Sequence, residues 1–168
     1  MAAPVFNFSE SNGATPTITN SVTSIVFASA DTQSNSSNLA TTSPITAGNN
    51  SYEKWERLQI TTVASNSVSA FGVYFSATAP TDQAGSSSFI TMYFATNATF
   101  STPATTTSVA TTLCSSDTSA GGTAFTAPAN TANSYSGYIT LQMRTTSSAT
   151  GGNVTFPSPF ISCQFTYN

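Results

Sequence analysis

From Tyr138 to Arg144 the chain alternates without a break. Ile139, Leu141 and Met143 fall on one side, and Tyr138, Thr140, Gln142 and Arg144 on the other. A period of two belongs to a β-strand with one buried face, and a helix cannot hold it. The same period returns in Phe89–Thr96, where Ile90, Met92 and Phe94 alternate with Phe89, Thr91 and Tyr93. It returns again at the end of the chain, where Ile161, Cys163, Phe165 and Tyr167 alternate with Ser162, Gln164 and Thr166. The residue alphabet agrees. Leu, Glu, Lys and Arg, the strong helix formers, are scarce, while Thr, Val, Ile, Phe and Tyr suit a pleated, half-buried surface. The sequence predicts an all-β protein.

Further strands are expected at Val5–Ser9, Thr17–Ala28, Glu53–Ala64, Val68–Ser76 and Asn153–Phe156. Gly72, inside a strand pattern, predicts a bulge or a close backbone approach. In Glu53–Ala64 a uniform pleat places Leu58 and Ile60 on one face with Lys54 and Glu56. Trp55 then lies opposite, with Glu53 and Arg57. Either a bulge near residue 57 reconciles these apolar groups, or both faces of the strand are covered. The 101–133 stretch reads as loops with one or two short strands. Pro157 and Pro159 impose a bend, because neither can donate to a ladder. Between Asp31 and Asn50 only Leu39 and Ile45 are large and apolar, which predicts a long loop or an extended arm. About eight short strands separated by Gly, Pro and Asn turns predict an antiparallel two-sheet sandwich, immunoglobulin-like or jelly-roll, as one domain over residues 1–168. A chain of this size buries roughly 70% of its extended surface, enough for a core that needs no metal or disulfide.

Nine of the 168 residues carry a formal charge, so most catalytic chemistry is out of reach. Without histidine no Ser-His-Asp or Cys-His relay can be assembled. Cys114 and Cys163 have no zinc-ligand spacing and read as two thiols of the reducing cytosol, with one bridge as the alternative. Three basic residues cannot form a groove that tracks phosphates, which argues against nucleic acid. Asp31, Asp82 and Asp117 sit in turn-rich segments where Asx-turns are their commonest use. Glu53 and Glu56 fall on opposite strand faces, which does not suit a pair of glycosidase carboxylates. No catalytic residue, cofactor or metal is expected, and the chain does not read as an enzyme. No segment approaches the ~20 apolar residues that span a bilayer. The N-terminus, Met1-Ala2-Ala3-Pro4-Val5-Phe6, has neither the basic nor the apolar region of a leader.

Charge and aromatic area coincide only in Glu53-Lys54-Trp55-Glu56-Arg57. One reading is a solvated strand end with weak cross-strand ion pairs. The other is a subunit contact anchored on Trp55 and flanked by Arg57, since Trp and Arg are enriched at interface hot spots.

The stretch Ser51-Tyr52-Glu53-Lys54-Trp55-Glu56-Arg57-Leu58, followed by a β run, resembles a group of small tailed-phage virion proteins. So do the strand Tyr135-Ser136-Gly137-Tyr138-Ile139-Thr140-Leu141-Gln142 and the closing Cys163-Gln164-Phe165-Thr166-Tyr167-Asn168. The resemblance covers residues 51–168 and leaves 31–50 unmatched. It implies a virion structural protein, foremost a capsid decoration (cement) protein made in the host cytoplasm and placed on the outer head surface. Its implied partners are the major capsid protein and copies of itself, as a trimer or dimer. The alternatives are a tail or neck component and a host-facing carbohydrate-binding module. The expected contacts are Leu39 and Ile45 of the arm, the Glu53, Trp55 and Arg57 cluster, and the Pro157 and Pro159 bend.

Overall fold

The computed structural model describes residues 3–13, 15–36, 38–63, 68–75, 80–106, 111–112, 123–124, 126–151, 154 and 161–167. Among them the strands, in chain order, are β1 (Val5–Asn12), β2 (Thr17–Asn20), β3 (Lys54–Thr62), β4 (Val68–Phe75), β5 (Ile90–Asn97), β6 (Thr111–Thr112), β7 (Thr123–Ala124), β8 (Tyr138–Thr145) and β9 (Ile161–Tyr167). The seven longer strands form an antiparallel five-stranded sheet, in the order β2-β1-β3-β8-β5, and a small β4-β9 pair. Two-residue ladders extend each sheet, β6 beside β5 and β7 beside β4. The protein is mostly β, and a single helical turn, α1 (Leu39–Thr42), interrupts the long loop.

The alternation read from sequence sets the pairing of the large sheet. Met92 pairs with Met143 and Phe94 with Leu141 across β5 and β8, so that the two apolar rows share a face. Ile90, Met92, Phe94, Ile139, Leu141 and Met143 form the core with Phe27 and with Val73 of the small sheet, and Ile161 and Cys163 of β9 pack against it. Residues of both sheets therefore join one buried cluster. As Gly72 predicts, β4 carries an irregularity, where the register against β9 shifts between Ser69 and Gly72.

One expectation changes, and two that were left open resolve. Thr17–Ala28 is not one strand: β2 ends at Asn20 because Ser21 takes a left-handed φ of 60°. Further on, the Val26 N–H donates to Ser34 Oγ at 2.9 Å instead of to a ladder. The register shift of β3 lies not near residue 57 but at Thr61, left unpaired between the Val5–Thr62 and Phe6–Ile60 pairs. Both faces of β3 are buried instead, from Lys54 to Ile60 with only Arg57 half-exposed. The described part of residues 31–50 lies along the body: the Ser34 N–H donates to Glu10, Ser43 O accepts from the Ser29 N–H at 3.0 Å, and Asn50 bridges to Arg144. Strand Asn153–Phe156 lies outside the described residues except Val154.

Candidate functional site

Strand β3 runs through the middle of the large sheet, and its two faces carry different chemistry. On the core side Lys54 pairs with Leu141 and Glu56 with Ile139, which places two charged side chains in line with the apolar rows. Across β1, Glu56 pairs with Glu10. All three side chains have no exposed surface. Lys54 Nζ lies 2.8 Å from Glu10 Oε1 in a wholly buried ion pair and also donates to the Thr32 carbonyl. The Ser34 N–H donates to both Glu10 oxygens, at 3.0 and 2.9 Å. The 32–34 stretch thus closes over the charges, and Asp31 fastens its start by accepting from Asn12 Nδ2 at 2.9 Å and the Gly13 N–H at 2.8 Å.

Glu56 differs from its neighbours, because neither of its carboxyl oxygens has a hydrogen-bond partner. Burial pushes its pKa well above the usual carboxylate range, and the Glu10 charge adds to the shift while the Lys54 charge opposes it. A carboxyl buried in that position, beside a second carboxylate, is harder to ionise than one in water.

On the opposite face Trp55 is 4% exposed and packs against Phe100, with ring centroids 5.2 Å apart, and edge-on against Tyr138 at 5.5 Å. Its Nε1 donates to Glu53 Oε2 at 3.3 Å, which the Ala104 N–H also approaches at 3.3 Å. Burial raises the Glu53 pKa, and these two hydrogen bonds temper the rise. Beside them the Arg57 guanidinium lies 3.8 Å from the centre of the Tyr135 ring and 5.0 Å from that of Tyr138. Tyr135 is held there because residues 133–136 continue alongside β3: the Ile60 N–H donates to Ser134 O at 3.0 Å and the Ser136 N–H to Leu58 O at 2.9 Å. Gln59 Nε2 donates to Tyr135 Oη at 3.2 Å, and Tyr135 in turn donates to Asn20 Oδ1 at 3.3 Å. Farther along the sheet Arg144 lies 4.1 Å from the centre of the Tyr93 ring.

The expected site residues separate accordingly. Glu53, Trp55 and Arg57 come together, but Trp55 spends its aromatic area inside the chain, where an intersubunit anchor would leave it exposed. The cluster is no solvated strand end either, since its ion pair is the buried Lys54–Glu10. Leu39 is buried in its helical turn, 5% exposed. Ile45 packs on the core side of the sheet and lines a cavity of about 570 Å³ with Phe27, Pro44, Ile90, Met143 and Val154. Pro157, Pro159 and Cys114 lie outside the described residues. Cys163 is a free thiol that burial pushes up to about 12. Asp82 forms the expected turn: its Oδ1 accepts from the Ala84 and Ser86 N–H groups at 3.0 and 2.9 Å. Asp31 instead ties β1 to the long loop. Sequence reasoning missed Glu10, although the placement of Lys54 and Glu56 on the Leu58 and Ile60 face was the signal that charge is buried there.

Among the described residues no group of three or more His, Cys, Asp or Glu side chains could hold a metal ion, and no helix is long and apolar enough to cross a membrane. No protein-family model, no curated protein and no solved structure matches the chain.

Proposed function

We propose that the chain is a non-enzymatic structural component of a bacteriophage particle, a capsid decoration protein that binds the outer face of the major capsid lattice and reinforces the head. One observation carries the reading. The eight described charged residues (Glu10, Asp31, Glu53, Lys54, Glu56, Arg57, Asp82 and Arg144) are all buried or half-buried, and none is exposed. Among the described residues charge positions the chain's own segments, and the exposed positions are left to hydroxyls, amides and scattered apolar groups. Contacts made by such a surface depend weakly on ionic strength, which suits a subunit that must stay on a particle through changes of medium. The resemblance of the Ser51–Leu58 and Tyr135–Gln142 stretches to phage virion proteins supports the same reading. So does the shared core of the two sheets, which we take as the two layers of an immunoglobulin-like or jelly-roll sandwich. The partners are the major capsid protein and further copies of the chain, as a trimer or dimer.

The test is rebinding. Purified protein is added to heads stripped of it, over a salt series from low to about molar concentration, where the Debye length falls to roughly 3 Å. Saturable binding that changes little across the series supports the proposal, and failure to bind such heads removes it. A host-facing carbohydrate module is the second reading, favoured by the half-exposed Tyr135 amid Asn20, Gln59 and Asn133. It predicts retention of the isolated domain on immobilised glycans, where a decoration protein passes through.

A further inference from the structure

We propose that Lys54 and Glu10 are the two halves of an internal amide cross-link, formed when the Lys54 amine condenses with the Glu10 carboxyl with the help of the neighbouring Glu56 carboxyl. The inference rests on the interior of the fold and stands whether or not the chain belongs to a virion.

Three observations carry it. First, the amine and the carboxyl are already in contact: Nζ is 2.8 Å from Oε1, one bond away from the carbon it would attack, on two strands that the sheet holds side by side. Two groups fixed in this way react as if at very high concentration, because the ordering entropy was lost on folding. Second, the site is dry. Lys54, Glu10 and Glu56 are fully buried, and an ammonium and a carboxylate held away from water lose the hydration that normally favours the separated ions over the amide. Third, the surroundings provide the parts that such a condensation uses. The Ser34 N–H points at both Glu10 oxygens, where negative charge develops when Cδ becomes tetrahedral. The Glu56 carboxyl sits across the ladder from Glu10 with both of its oxygens unpartnered, so it is free to accept one proton and deliver another. Its burial favours the protonated form, the one that can donate.

The step balances without any further reagent. A proton first passes from the Lys54 ammonium to the Glu10 carboxylate, leaving a neutral amine and a neutral acid. The amine lone pair attacks Cδ and the Nζ–Cδ bond forms. Glu56 takes a proton from the attacking nitrogen and returns one to the departing hydroxyl. The Cδ–O bond then breaks and water leaves. Nothing is oxidised or reduced. A neutral amide replaces two buried charges, its N–H free to keep the bond to the Thr32 carbonyl and its oxygen still within reach of the Ser34 N–H. The outcome ties β1 covalently to β3 at the centre of the large sheet.

Intact-mass measurement on the full purified chain tests this directly. The expected mass is that of the sequence less one water, and peptide mapping should join the segment containing Glu10 to the one containing Lys54. Glu56→Gln, which keeps the shape of the side chain and removes its exchangeable acid proton, should leave the chain at its full mass or slow the loss of water at least tenfold. A wild-type chain that stays at full mass after prolonged incubation overturns the proposal, as does a water loss that maps elsewhere. Complete cross-linking in Glu56→Gln at the wild-type rate overturns the assisted step. The wild-type measurement needs no variant, so a poorly folding Lys54→Met does not weaken the test.

Discussion

Glu56 lies directly across the β1–β3 ladder from Glu10, and the two carboxyls share a buried face with a single ammonium, that of Lys54. Glu56 is the acid left over. Its folded pKa is raised above the ordinary 4.5, so the folded chain holds its proton more tightly than the unfolded chain does. Stability from this group is therefore complete below pH 4.5 and falls as pH rises toward the folded value. Glu53 is raised in the same sense. Chemical denaturation followed across pH should show the wild type losing stability as pH rises above 4.5. Glu56→Gln should flatten most of that slope, and an unchanged slope in the variant would assign the pH dependence elsewhere.

Removing the cation should be far more damaging than removing the spare acid. Lys54→Met leaves Glu10 and Glu56 facing one another in a dry site, and breaking a buried pair from one side costs about 3–5 kcal/mol, to which loss of the proposed cross-link adds. Urea melts should place this variant well below the wild type at neutral pH. Part of the loss should be recovered in acid, which favours the protonated Glu56 and so lessens the charge left in the site. A variant equally unstable at both pH values would show that Lys54 acts through packing alone.

Trp55 is the one tryptophan, and it is held between Phe100 and Tyr138. Its emission should be blue-shifted in the native state and move red on unfolding, which gives a built-in probe for the other tests. Trp55→Ala should cost roughly 3–5 kcal/mol through the cavity it leaves, whereas Trp55→Phe keeps the ring contacts and should cost less. If the loss of Trp55 is almost neutral for the isolated protein but abolishes assembly, its role lies between subunits instead.

Asp82 reports on the opposite end of the pH scale. Its carboxylate accepts backbone bonds from Thr150, Ser86 and Ala84, and these hold its pKa below the ordinary 3.8. The stability it supplies is present above pH 3.8 and disappears as pH falls through the lower folded value. Hydrogen exchange at the Ser86 and Thr150 amides should therefore accelerate in strong acid. Asp82→Ala should bring the same acceleration at neutral pH, with the core strands unaffected.

Gly137 precedes β8 where the backbone comes close to its neighbours. A methyl group there would lie 3.1 Å from the Asn97 carbonyl oxygen and 3.2 Å from Thr126 Cβ. Gly137→Ala should destabilise the chain by on the order of 1–3 kcal/mol, as overpacking does. Gly151→Ala, where the added methyl meets nothing within 4 Å, is the matched control.

Elements whose neighbours are apolar could be read from the sequence, because their own period records which face is buried. β5 shows this plainly, with Ile90, Met92 and Phe94 buried and Thr91 exposed as the alternation requires. β8 shows the limit. Its apolar row is inward as expected, yet Thr140 and Gln142 on the other face are buried too. The cause is distant in sequence: Gln142 Nε2 donates to the carbonyls of Ser51 and Ala104, in segments that no local pattern links to β8. The candidate site was half legible for the same reason. The clash between Trp55 and the Leu58–Ile60 face announced that β3 either bulges or is covered on both sides, and burial decides for the second. Nothing near Glu10 announced that it meets Lys54, since a lone acid just past the Val5–Ser9 pattern looks the same whether water or an ammonium lies beside it. The second strand was read too long because Val22 and Val26 keep the rhythm, while the left-handed turn at Ser21 lies in a serine, a residue with no strong preference for it.

The placement of β3 between β1 and β8 has a consequence for how the protein is made. A ribosome delivers β1, β2 and β3 long before Ile139 and Leu141, the apolar neighbours that later enclose Lys54 and Glu56. While the nascent chain waits, this stretch of the open sheet presents hydrated ions rather than a greasy stripe. Premature sticking to other growing chains is discouraged there until the last strands arrive and drive the water out.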